Sequence, residues 1–228
     1  MFVIPSIAAC ALFAQMGDNE GELQDDLPSH IMHMESPVLS PSQALESFVV
    51  QDGFYVELVA SEPMIQDPVS AVFAPDGSLW VVEMQSFMPD VDGNNELEPI
   101  SRIVHLTDTN SDGIMDESTI FMDGLVLPRS LAISHDGILL IAPPNLLYCR
   151  DTDGDGKCDD VQTLTGGFGG LDSIEHAGNG LQYGLDNLFH NSQHGYSFQF
   201  DGETLTSIPV PPHGQWGTTQ DDYGRQYY

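Results

Sequence analysis

Basic side chains are nearly missing from this sequence. Five Lys and Arg stand against 35 Asp and Glu in 228 residues, a formal net charge of -30. Holding a phosphate backbone takes Lys and Arg, so nucleic acid is excluded as a partner. An anionic membrane surface would repel the chain as well. Cations are the natural counter-partners, as bound metal or as a salty medium that an acidic surface tolerates. Cysteine is scarce too, with three in all. Cys10 lies near the start, and Cys149 and Cys158 have neither the CxxC nor the CxxCH haem spacing. They form either one disulfide closing a short loop or two unpaired thiols. Long apolar runs are also lacking. The longest, Met1 to Ala14, falls short of the ~20 residues that cross a bilayer, so no transmembrane span is expected.

That run ends on a small residue before the chain turns polar and acidic, which is the pattern of a secretory leader. Ile7-Ala8-Ala9-Cys10 also matches a lipoprotein cleavage box. The chain is therefore expected outside the cytoplasm, periplasmic or extracellular, with a lipid anchor on Cys10 as one form of it. Residues 15–39 are acidic and without periodicity and are read as a linker. Their Met32-His33-Met34 cluster is taken as incidental. Ser40 followed by Pro41 signals a capped helix start. The division is then a leader over 1–14, a linker over 15–39 and one domain over 40–228.

From Phe54 the pattern changes to short β runs. Phe54-Tyr55-Val56-Glu57-Leu58-Val59-Ala60 is one, and Val69–Phe73 and Leu79–Glu83 flank the hairpin signal Pro75-Asp76-Gly77. The hairpin returns 60 residues later over Ser130–Ile141, again over Gly180–Phe189, and a fourth time from Gly217 with Asp222-Tyr223-Gly224 at its turn. A second repeat runs alongside, because Asp108-Thr109-Asn110-Ser111-Asp112-Gly113 returns 43 residues later as Asp151-Thr152-Asp153-Gly154-Asp155-Gly156. An insertion over 85–99 accounts for the difference between the offsets. A unit of ~40–45 residues with several short strands is a propeller blade. The expected fold is all-β, a partial β-propeller of about three and a half blades, cut short at its C-terminus. A flat β-sandwich is the alternative, and it leaves the paired offsets unexplained.

The aspartate loops carry oxygen ligands in calcium-loop order. Asp108, Asn110, Asp112 and Asp116 stand at positions 1, 3, 5 and 9 of the first loop, and Asp151, Asp153, Asp155 and Asp159 at those of the second. Gly113 and Gly156 hold the turning position. Ile114 and Lys157 follow, where a backbone carbonyl serves as ligand. Carboxylates this crowded repel unless a cation neutralises them. Thr119 and Gln162 stand where an EF-hand has its bidentate Glu, so these are calcium loops joining strands. Asn110 lowers the charge of the first, and the second should bind better.

Several stretches together resemble a known family. They are Gly53–Pro63, Leu79–Met84, Asp151–Lys157 and Asn179-Gly180-Leu181 with Gly184-Leu185-Asp186-Asn187. Ser40 to Tyr228 resembles the N-terminal propeller of large secreted proteins of the planctomycete–verrucomicrobial type, described as membrane-bound dehydrogenases with haem-binding CxxCH tails. That propeller is in turn similar to the soluble quinoprotein glucose and sorbosone dehydrogenases. The resemblance implies a six-bladed ring, a bound pyrroloquinoline quinone with calcium, a sugar or related alcohol as substrate, and further blades and a haem domain beyond this chain. In those enzymes a His before a Gly-containing stretch and an inner strand acts as general base. Glu175-His176-Ala177-Gly178-Asn179-Gly180-Leu181 matches that place, which makes His176 the candidate base. Gly178, Asn179 and Gly180 would let backbone approach a planar ligand, and Arg129 at a strand start would clamp a quinone carboxylate or sit in a salt bridge. Here the family usually has a smaller residue. Arg102, Arg150 and Arg225 belong to no motif. His190, His194 and His213 are read as loop histidines.

Two functions follow. One is the quinone-dependent oxidation of a sugar or alcohol. The other is a calcium-stiffened propeller that binds a glycan or a protein without catalysis. Propellers host both, so the fold alone does not decide.

Overall fold

The computed structural model of the chain describes residues 37–90, 92–171 and 174–228. The expected leader, Cys10, Met32-His33-Met34 and nearly all of the linker lie outside these residues. The described part opens on helix α1 (Pro41–Ser47). Ser40 caps it: its Oγ accepts from the Gln43 N–H, and the Gln43 side chain accepts from the Ser40 N–H, a capping box with Pro41 in the first turn. Among the described residues no helix is long and apolar enough to cross a membrane.

The rest is β-structure in consecutive antiparallel sheets. The first holds β1 (Pro68–Phe73), β2 (Leu79–Glu83), β3 (Ser101–Thr107) and β4 (Glu117–Leu125), side by side in chain order. The second repeats the order with β5 (Ser130–Ser134), β6 (Gly137–Ala142), β7 (Asn145–Arg150) and β8 (Asp160–Gly166). The third does so with β9 (Asn179–Tyr183), β10 (Phe189–Ser192), β11 (Tyr196–Phe200) and β12 (Leu205–Pro209). The two-stranded sheet of β13 (Thr219–Gln220) and β14 (Gln226–Tyr227) begins a fourth. Three four-stranded meanders and the first hairpin of another make the chain a partial β-propeller.

The hairpin signals explain the registers. Ala74–Ser78 turns β1 into β2 with Phe73 opposite Leu79, and the Asp76 carboxylate accepts both the N–H and the hydroxyl of Ser78. His135-Asp136 turns β5 into β6, and the Tyr148 hydroxyl on β7 donates to Asp136. Each Asp thus ties down its own turn.

The core lies between sheets. Val82, Ile103, Phe121 and Leu125 of the first blade pack on Leu131, Ile138, Leu140 and Cys149 of the second. Ala132, Leu139, Ile141 and Tyr148 on the second blade's other face pack on Leu181, Phe189, Phe198 and Phe200 of the third. Strand alternation supplies both faces, since neighbouring residues of β6 point to opposite sides. The first blade's outer face, with Val81, Val104 and Leu106, is covered by Val59, Ala60, Met64 and Ile65. Cys149 and Cys158 are free thiols, and Cys158 packs against the cluster that holds Cys149.

One expected strand does not form. Residues 54–60 are not in a sheet, although their side chains have strand character. A strand exists only through a neighbour's hydrogen bonds, and none of the described strands runs beside this segment.

Leu140 is fully buried between two blades. Leu140→Ala should cost about 2–5 kcal/mol through lost burial and the cavity left behind. A denaturant melt checks this; a loss under about 1 kcal/mol would show that the blades do not stabilise each other there.

Candidate functional site

The chain enters each blade at its first strand, so β1, β5 and β9 stand next to one another at one end of three successive sheets. They border a cavity of about 630 Å³. Val72 of β1, Arg129 and Ser130 at the start of β5, Asn179 and Leu181 of β9, and Trp216 before β13 line it. The Ser130 hydroxyl accepts the Leu181 N–H at 2.9 Å and locks β9 to β5.

Arg129 is the unusual member. Only 9% of it is exposed, and its Nε and Nη2 find no hydrogen-bond partner among the described residues. Burial pushes its guanidinium down to about 10. The other strongly buried charge shows what a satisfied one looks like. Glu83, fully buried, accepts from Arg102, from the Gln66 N–H at 2.7 Å and from Gln85 Nε2 at 3.0 Å. An unmatched buried ion costs several kcal/mol, and each unpaired donor about 1–3 kcal/mol. In a chain of 35 carboxylates, none of those described pairs with Arg129. Its donors are available to an anion in the cavity.

The segment leading into β9, the cavity's third wall, behaves differently from its sequence reading. His176 ends a one-turn 3₁₀ helix (Ile174–His176) and is exposed. Gln215 Nε2 lies 3.2 Å from its Nε2, where an amide N–H can only donate. Trp216 Nε1 donates to the Glu175 carbonyl at 2.8 Å, which ties the 3₁₀ turn to the 215–217 segment. The glycines make room for protein. A Cβ on Gly178 would come within 2.7 Å of the Phe168 ring, and one on Gly180, at φ +63°, within 2.7 Å of the Gly217 backbone. Asn179 is likewise spent on the fold: its amide donates to the Ala177 and Gln215 carbonyls, and its Oδ1 accepts the Gly217 N–H at 2.7 Å. Gln215, Trp216 and Ser130 were not legible as site residues. The fourth hairpin repeat, beginning near Gly217, was the only sequence signal near the first two.

The aspartate loops lie elsewhere, between the third and fourth strands of blades one and two, whereas the cavity is lined by first strands. Each folds around its first Asp. Asp108 accepts the Ser111 and Gly113 N–H at 2.7 and 2.8 Å, and Asp151 accepts those of Gly154 and Gly156 at the same distances. These backbone donors, Gly113 and Gly156 foremost, hold both carboxyls below the usual range. Asp116 and Asp159 each take the N–H and hydroxyl of the Thr after that first Asp. In the second loop Asp151, Asp153 and Asp159 bring carboxylate oxygens within 4.8 Å of one another. Asp155 lies outside that group and accepts from the Lys157 N–H. Among the described residues the first loop forms no such group; Asn110 stands where Asp153 does and donates to Asp116. Asp112 accepts the Ile114 N–H.

Residues 40–228 match the model of a domain of unknown function, DUF7133. The chain belongs to that family. No curated protein matches it. Among solved structures the DUF7133 chain is similar to a gluconolactonase of Xanthomonas campestris, at 16% identity and TM-score 0.49, over 75% of this chain and 56% of that one. It is similar to a catalytically inactive virginiamycin B lyase of Staphylococcus aureus bound to quinupristin, at 16% identity and TM-score 0.38, over 64% of this chain and 42% of that one. It is also similar to a protein of Thermus thermophilus assigned as a glucose dehydrogenase oxidoreductase, at 14% identity and TM-score 0.37, over 61% of this chain and 44% of that one. The DUF7133 chain spans about half the length of these proteins.

Four further histidines among the described residues sit against protein groups. His190 lies on β10 rather than in a loop, between Asp186 at 3.0 Å and the Ser197 hydroxyl at 3.1 Å. His213 contacts the Pro211 carbonyl and the Tyr228 ring. His194 stacks on Phe168 with ring centroids 4.1 Å apart, and His105 lies against Trp80 at 4.4 Å. Burial lowers both of these below 6.5, so the fold favours their neutral rings. The unfolded chain then binds protons that the folded one does not, and stability is intact above 6.5 and falls as pH drops below it. Thermal melts of the DUF7133 chain between pH 8 and 5 should show this loss, and His194→Phe, which keeps the stack, should reduce its slope. An unchanged slope would place the proton uptake elsewhere.

Proposed function

We propose that this domain is part of a dehydrogenase that oxidises a sugar or related alcohol with a quinone-type acceptor held in the central cavity. One observation carries the reading: a buried guanidinium without a counter-ion, in the wall of a cavity of about 630 Å³. Pyrroloquinoline quinone is an anionic, planar ligand, and Arg129 fits its carboxylates. Gly180 lines the cavity and would present backbone to it, whereas Gly178 does not line it; at both positions protein atoms fill the space a Cβ would take. When bound, the quinone supplies the acceptor for the substrate's hydride. His176 does not itself line the cavity, although Ile174 and Glu175 beside it do; it would take the hydroxyl proton at Nε2, which now faces Gln215. Calcium belongs to the aspartate loops in this reading, the second before the first, and stiffens the outer hairpins without touching the cavity. The full reading takes the chain as an exported propeller of the haem-tailed dehydrogenase type, with residues 1–14 as leader, 15–39 as linker and the remaining blades of a six-bladed ring supplied beyond it.

A non-catalytic binding propeller is the second reading. It is favoured by the exposure of Trp216 (61%) and Tyr223 (84%), aromatic platforms suited to a glycan face.

Turnover of an aldose panel with pyrroloquinoline quinone, calcium and a dye acceptor separates the two. The dehydrogenase reading expects activity that falls about 10²–10⁴-fold in His176→Ala. Activity that survives this change means another base, and no quinone binding by the wild type removes the enzyme reading. Calcium titration calorimetry of the same protein should show a heat that Asp151→Asn reduces more than Asp108→Asn; no heat at millimolar calcium overturns the metal assignment.

A further inference from the structure

Blades one and two repeat one unit, and they differ by one cation. At the offset of 43 residues, His105 matches Tyr148, Thr107 matches Arg150 and Glu117 matches Asp160; at the offset of 60, Asp76 matches Asp136. The strand registers agree. His105 pairs with Trp80 as Tyr148 pairs with Leu139, and Thr107 pairs with Glu117 as Arg150 pairs with Asp160. In blade two the set closes on itself. The Arg150 guanidinium donates to Asp160 at 2.5 and 3.0 Å, lies 3.7 Å from Asp136 and stands over the Tyr148 ring at 5.2 Å. The Tyr148 hydroxyl donates to the other oxygen of Asp136.

Blade one keeps the carboxylates and the aromatic surface and lacks the cation. Thr107 replaces the arginine, and among the described residues neither Asp76 nor Glu117 forms an ion pair. Trp80 and His105 lie against each other with ring centroids 4.4 Å apart. Protein does not fill the place. A cavity of about 460 Å³ lies between blades one and two, with Asp76, Trp80 and His105 on one side and Ile133, Asp136 and Asp151 on the other. That is the size of a small-molecule site. Its counterpart between blades two and three has Arg150 in the wall, with Asp201 and Glu203 opposite. Among the described residues no Lys or Arg lines the first cavity. Its carboxylates come from two blades and do not converge; the one described group close enough to share a metal ion is Asp151, Asp153 and Asp159. Dispersed carboxylates beside an aromatic wall suit a larger, organic cation.

We propose that the cleft between blades one and two binds a small organic cation, a guanidinium or amidinium on a carbon body, in the place that Arg150 fills in blade two. The planar group pairs with Asp76 and Asp136 and lies on the Trp80–His105 surface, as Arg150 lies on Tyr148. This site shares no lining residue with the Arg129 cavity.

Benzamidine is the probe, and benzamide is its neutral counterpart of nearly the same shape. The chain has two tryptophans, so a proton–nitrogen spectrum of the indole N–H groups reads the cleft through Trp80 and the Arg129 cavity through Trp216. Calcium is held at one concentration, because Asp151 belongs to the second aspartate loop as well. Titrated into the full chain, benzamidine should move the Trp80 signal saturably and leave that of Trp216 in place. Benzamide should bind about 10-fold more weakly or worse. Asp76→Asn keeps the acceptor for Ser78 and removes one acidic charge of 35, so general attraction to an acidic chain survives it. The proposal expects this change to weaken benzamidine about 10-fold. Thr107→Arg installs the missing cation and should abolish binding. A Trp80 signal that does not move, or that benzamide moves equally, overturns the proposal, as does benzamidine binding that neither substitution alters.

Discussion

A four-stranded blade has two apolar faces, and in the second blade of this chain each is buried by a neighbouring blade. Leu140 and Leu139 are adjacent on β6, yet the first packs toward blade one and the second toward blade three. Everything else is positioned by that alternation. It stacks the sheets in chain order, brings β1, β5 and β9 together, and leaves the cavity along their line. It also makes a blade's last strand part of the next blade's support, and the second aspartate loop hydrogen-bonds backward across that boundary to Phe121 of β4.

Within this frame the charges divide by location. Carboxylates fill the outer turns and loops, where backbone N–H groups and hydroxyls satisfy them. The cavity wall holds Arg129, a cation with unused donors, together with Glu175. A protein with a handful of basic residues that buries one of them without a partner bears a folding cost, and strongly perturbed groups of this kind mark ligand sites more often than structural ones. The aspartate loops and the cavity therefore lie in different parts of the blades, the loops between third and fourth strands and the cavity along first strands.

Much of the fold was legible in the sequence, because it rests on local signals that repeat. Asp-Gly turns mark the hairpins, and the offsets mark the blades. Residues 54–60 have the composition of a strand yet lie in no sheet, since pairing depends on a partner that composition does not supply. The site was less legible. Arg129 reads as one arginine among four, and its burial follows only from the three sheets around it. Gly178 and Gly180 suggest space for a ligand, whereas Phe168 and Gly217 occupy that space from distant parts of the chain. Gln215 and Trp216 meet His176 and Glu175 across some 40 residues, with no spacing rule to announce them.

The central claim is that the Arg129 guanidinium awaits an anion in the cavity. Because the chain has only four arginines, a nitrogen-15 spectrum of their Nε–H groups reads each one directly. On adding pyrroloquinoline quinone to the full chain, the Arg129 signal should shift and its solvent exchange slow, while those of Arg102, Arg150 and Arg225 stay in place. An Arg129 signal that does not move at saturating quinone would contradict the account.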